Sequence, residues 1–163
     1  MVSDWVPGWV PVLKVSDSIW MGVIAEELWT GDAQGRARKV NFESPIDLFP
    51  MLERGRAQVF SDVESSAALG LLPPEYSSDL SWLDSIADYV CRSVDWSGYW
   101  VSLALSWIEE KGGTLTDSEV EMLHKISQGK YSQKTKHHAW RLVKPYIPYW
   151  ARGTATRRVS PSP

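Results

Sequence analysis

The stretch 79–113, DLSWLDSIADYVCRSVDWSGYWVSLALSWIEEKGG, decides the fold class. Leu80, Leu83, Ile86, Ala87 and Val90 lie on one side of a helical wheel, and Ser78 or Asp79 stands ready as N-cap. After a break near 93–95, Trp96, Trp100, Leu103 and Trp107 recur at spacings of 4, 3 and 4. That stripe predicts a second helix with its tryptophans inward, stopped by Gly112-Gly113. Downstream, Thr116-Asp117-Ser118-Glu119 has the capping-box pattern, in which side chain and backbone of the first turn satisfy each other. It opens a third helix with Val120, Leu123 and Ile126 inward, ended by Gly129. Ser132 opens a fourth, with Ala139, Trp140, Val143 and Ile147 inward, and Pro145 and Pro148 end it. Four helices over 79–147 joined by short loops predict antiparallel neighbours in a bundle.

Upstream, LGLLPPEYSS (69–78) is punctuation that ends whatever precedes it. Between Ser16 and Trp29 the apolar residues Ile19, Trp20, Val23, Ile24 and Leu28 fall at helical spacing, predicting a helix stopped by Thr30-Gly31-Asp32. Arg38–Phe42 and Ala57–Phe60 read as short strands. Between them Ser44-Pro45 opens a helix, kinked at Pro50 and ended by Gly55. The tandem Trp5-Val6-Pro7 and Trp9-Val10-Pro11 predicts an extended arm leading into Leu13 and Val15, since proline keeps its predecessor out of the helical region. The fold class is therefore mainly α within an α+β frame. A C-terminal antiparallel helical bundle (79–147) accompanies a smaller N-terminal mixed part (1–68) with two or three short strands. Residues 1–151 are expected to form a single compact domain, with 152–163 a flexible basic tail.

The whole chain, 163 residues with a net charge of −3, has the length and apolar fraction of one packed domain. The net charge conceals an asymmetry. Residues 1–110 hold 7 Lys/Arg against 17 Asp/Glu, or −10, and residues 111–163 hold 10 against 3, or +7. From Met122 onward there is no acidic residue. The basic part either binds an external polyanion or pairs with the protein's own acidic part, within one chain or between copies as a homo-oligomer. A single cysteine, Cys91, forms no internal disulfide. No apolar run approaches the ~20 residues that cross a bilayer, and the N-terminus lacks a basic n-region. A cytoplasmic protein without membrane partners is expected.

On the fourth helix Lys134, His137, Arg141 and Lys144 are spaced 3, 4 and 3, which places them on one face. With Lys130 before them, and Arg157 and Arg158 in the tail, they form a candidate nucleic-acid-binding set. The bland alternative is the solvated side of an amphipathic helix, or a side that pairs with the acidic helix carrying Asp84 and Asp88. Leu115-Thr116-Asp117-Ser118-Glu119-Val120-Glu121-Met122-Leu123, followed by Ile126, Gly129 and Ser132, resembles the opening helix and turn of LuxR-type helix-turn-helix domains. The family continues with an Ile-Ala pair, a second turn and a recognition helix. Here Gln133-Lys134-Thr135-Lys136-His137-His138 follows directly, so no DNA-contacting residue is carried over.

Other chemistry is sparse. Phosphate-binding loops and serine-nucleophile elbows are missing, and three histidines with one cysteine give no zinc spacing. No cofactor, metal or catalytic residue is expected. Trp5, Trp9 and Trp150 lie near the termini, where burial is hardest; displayed they would favour interfaces, and folding back over the bundle is equally economical. Asp84 and Asp88 share a helix face in an acidic region. These five residues form a candidate partner-binding set. The leading expectation is thus a non-catalytic protein-interaction protein of adaptor, inhibitor or immunity type. A protein partner ranks ahead of nucleic acid, which is the alternative.

Overall fold

The computed structural model describes residues 8–32, 34, 36–93 and 95–148. Four strands, β1 (Val10–Lys14), β2 (Ile19–Ile24), β3 (Glu27–Asp32) and β4 (Ala37–Lys39), form an antiparallel meander in the order β1-β2-β3-β4. A 3-10 segment, Ile46–Arg54, leads into α1 (Arg56–Ala68), the short α2 (Pro74–Ser77), α3 (Ser81–Arg92) and α4 (Gly98–Lys111). Two further helices, α5 (Asp117–Gln128) and α6 (Gln133–Val143), end in a 3-10 turn at Lys144–Tyr146. The molecule is mainly helical with one small sheet, an α+β fold.

The helix expected over Ser16–Trp29 is instead the β2–β3 hairpin. Ile24 pairs with Glu27 across Ala25-Glu26, whose φ angles of 49° and 67° are those of a two-residue hairpin turn. Both faces of this ribbon are covered, so apolar residues occupy consecutive positions and imitate a helical period. Met21 and Leu28 lie in the core. On the other face the Trp9 ring lies over Gly22, where an added Cβ would sit 2.7 Å from ring carbons and 2.5 Å from the Val10 carbonyl oxygen. Only glycine leaves room there.

The strand expected at Ala57–Phe60 lies inside α1, whose buried residues Val59, Val63 and Ser66 recur at helical spacing. The strand expected over Arg38–Phe42 is the shorter β4. Between them the segment bounded by Pro45 and Gly55 is a 3-10 helix with Pro50 inside it. On α4 the buried face is Val101, Ala104, Leu105, Trp107 and Ile108, rotated from the expected stripe. Trp107 is in the core, but Trp100 and Leu103 are half-buried and Trp96 precedes the helix. Trp96 and Trp100 instead pack around Phe49 of the 3-10 segment, with ring centroids 4.8 and 5.6 Å away.

Contacts divide the chain into two units, with the boundary between Gly112 and Gly113, both in the left-handed region. The first carries the sheet, the 3-10 segment and α1–α4, and α3 packs on α4. The second is the α5–α6 helical hairpin. Charge divides at the same place. Residues 1–112 hold 17 carboxylates against 8 bases, and residues 113–163 hold 3 against 9.

Candidate functional site

In the second unit the sequence dictates both helix starts. Thr116 Oγ1 accepts the Glu119 amide at 3.3 Å, while Glu119 Oε2 accepts the Thr116 amide at 2.7 Å and its hydroxyl at 2.9 Å. Ser132 caps α6 by accepting the Thr135 amide at 3.2 Å. Thr135, Ala139 and Val143 are the buried stripe of α6, against Met122, Leu123 and Ile126 of α5. The Tyr146 hydroxyl, accepting the Leu115 amide at 3.0 Å, ties the end of the hairpin to its beginning.

With that stripe inward, Lys134, His137, Arg141 and Lys144 are all exposed along one side of α6, and Lys130 is exposed in the preceding turn. No ion pair joins Lys130, Lys134 or Lys144 to another described residue. The acids of this unit stand at the start of α5. Glu119 is buried in the capping box and Glu121 pairs with Lys125 at 2.7 Å. Lys134 lies in the first turn of α6, which carries no acid. A cation there opposes the helix dipole, at a cost of roughly 0.3–1 kcal/mol, so helix stability does not explain its position. Arg157 and Arg158 lie outside the described residues.

Of the five candidate partner-binding residues, Trp9, Asp84 and Asp88 are described. Trp9 is 8% exposed, covering Gly22. Of the two readings open for this ring it takes the folded-back one, since covering the sheet removes more apolar area from water than leaving the ring out. Asp84 accepts Arg56 through both nitrogens, Nε at 2.8 Å and Nη2 at 3.0 Å, and accepts the Trp107 indole N–H at 3.1 Å. The Arg56 guanidinium also stacks 3.8 Å from the Phe60 centroid. Hydrogen bonding to Asp84, against the opposing effect of burial, raises the Arg56 pKa. Asp84 is thus an internal tie between α1, α3 and α4 rather than an open carboxylate. Asp88 is half-exposed and pairs with Arg92 at 3.3 Å. Trp5 and Trp150 lie outside the described residues.

Three other acids between 62 and 110 are engaged as well. Asp62 takes Arg54 and Gln58, Asp79 accepts the Ser81 amide, and Glu110 accepts the Ala57 amide at the start of α1. Burial pushes the Cys91 thiol far above its ordinary range, leaving no thiolate at neutral pH. Among the described residues no group of three His, Cys, Asp or Glu could hold a metal, and no helix is long and apolar enough to cross a membrane.

In comparisons with known proteins, the chain matches no family model, no curated protein and no solved structure.

Proposed function

We propose that this chain is a non-catalytic binding protein that engages nucleic acid through the basic side of α6. The observation that carries the reading is the set Lys134, His137, Arg141 and Lys144, exposed on one side of a helix without a carboxylate. Lysine and arginine at this spacing suit a row of phosphates, where released counterions supply the affinity. The protein-partner reading loses ground because Trp9 is buried and Asp84 is consumed internally.

The test is fluorescence anisotropy of the full chain with labelled 20-nucleotide single- and double-stranded DNA at graded salt. Binding at low salt is expected, with a log–log salt slope of about −3 to −4 on duplex if three to four phosphates are neutralised. No binding at low salt overturns the reading.

A second reading, a protein partner on the first unit, is favoured by Leu69, an apolar side chain 75% exposed at the end of α1. Its test is cross-linking capture from the native cell by a chain carrying Leu69→Ser. A partner retained by the wild type and lost by this variant supports it, and equal capture by both contradicts it.

A further inference from the structure

A cleft of about 180 Å³ opens in the first unit at one end of the sheet, between β3–β4 and the start of the 3-10 segment. It is independent of the basic side of α6. Its floor includes Thr30, which is 5% exposed, and Ile19 supplies an apolar wall. Four charged side chains line it: Asp32, Arg36, Arg38 and Asp47.

Two of the four are already joined. Asp32 accepts the amides of Gln34 and Arg36 at 3.0 and 3.1 Å, and the Arg36 guanidinium at 2.7 Å. Burial raises the Asp32 pKa, but those hydrogen bonds outweigh it and the net shift is downward. This ion pair is an electrically closed part of the rim. The other two are not joined. Arg38, opposite Thr30 in the β3–β4 register, and Asp47, in the first turn of the 3-10 segment, make no ion pair with each other or with another described residue. An opposite pair thus faces one cleft from two elements, farther apart than ion-pair distance.

A ligand of a single sign would be drawn to one of these groups and repelled by the other. A small molecule with both signs satisfies both, through charge-assisted hydrogen bonds at each end. The volume is below the ~300–1,000 Å³ of drug-sized sites, so the ligand is small. We infer that this cleft binds a free amino acid, its carboxylate on Arg38 and its ammonium on Asp47, with the Thr30 hydroxyl on the floor between them.

The test is amide chemical-shift titration of the full chain with glycine, L-alanine and L-serine, using acetate and methylammonium as half-ligands. Saturable shifts are expected at Thr30, Gly31, Arg38 and Asp47 for at least one amino acid, and for neither half-ligand alone. Arg38→Gln and Asp47→Asn should each weaken that binding at least about tenfold, the loss of one hydrogen bond between charged groups. Absence of saturable shifts in the wild-type titration overturns the assignment without reference to any variant. Saturation by acetate alone, or undiminished binding in both variants, overturns it too.

Discussion

Asp84 and Asp88 stand four residues apart on α3 and look alike in the sequence, yet their surroundings differ completely. Asp84 holds Arg56 from 28 positions upstream and Trp107 from 23 downstream, whereas Asp88 holds Arg92 within its own helix. Replacing Asp84 with Asn is expected to destabilise the first unit by about 2–3 kcal/mol, since a part-buried guanidinium and an indole N–H lose their acceptor. Asp88→Asn should change stability by less than about 0.5 kcal/mol, as half-exposed i,i+4 pairs do. Urea midpoints by tryptophan fluorescence check both. Local spacing puts the two carboxylates on one face but carries no information about partners that distant. Cys91 was more legible: a lone cysteine on the apolar side of a strongly periodic helix is ordinarily buried, as it is here. Its thiol is expected to react with an aromatic disulfide reagent only after unfolding, and rapid labelling of the native protein would contradict that.

At the scale of elements, the sequence marks ends better than types. The Thr116 capping box, the Ser132 cap and the Gly112 and Gly129 stops are local chemistry, and each is found where the residues place it. Thr116→Ala is expected to cost about 1 kcal/mol, read as faster amide exchange in α5. The β2–β3 hairpin was not legible, because Ala25-Glu26 lacks the usual Asn-Gly signature and Trp9 covers the face that would otherwise be polar. Gly22→Ala tests that account. It should destabilise the sheet by about 1–3 kcal/mol, because the new methyl meets both a backbone oxygen and the indole. The β3–β4 connection carries a pH signature. The folded Asp32 pKa is lowered, so its contribution is complete above the ordinary value of 3.8 and is lost as pH falls toward the folded value. Amide shifts of Gln34 and Arg36 should therefore hold steady down to about pH 4 and change below it.

Over the whole molecule, the division into −9 and +6 coincides with the boundary at Gly112-Gly113. The charge asymmetry was legible from composition alone, and so was the basic side of α6, because helix periodicity fixes which residues share a face. The fate of the acids was not. Those at 62, 79, 84 and 110 are held by caps and long-range ion pairs that one-dimensional counting treats as surface charge. The cleft at Arg38 and Asp47 was also hidden, since strand register and the 3-10 start bring them together without any motif. Lys134, His137, Arg141 and Lys144 are exposed on one side of α6. The most direct measurement compares the wild-type chain with Lys134→Ala/Arg141→Ala/Lys144→Ala in duplex DNA binding across a salt series, with circular dichroism to confirm equal helicity. Weaker binding at low salt is expected, with a log–log slope shallower by about 2 to 3, reflecting three lost phosphate contacts. An unchanged affinity and slope would contradict the nucleic-acid reading.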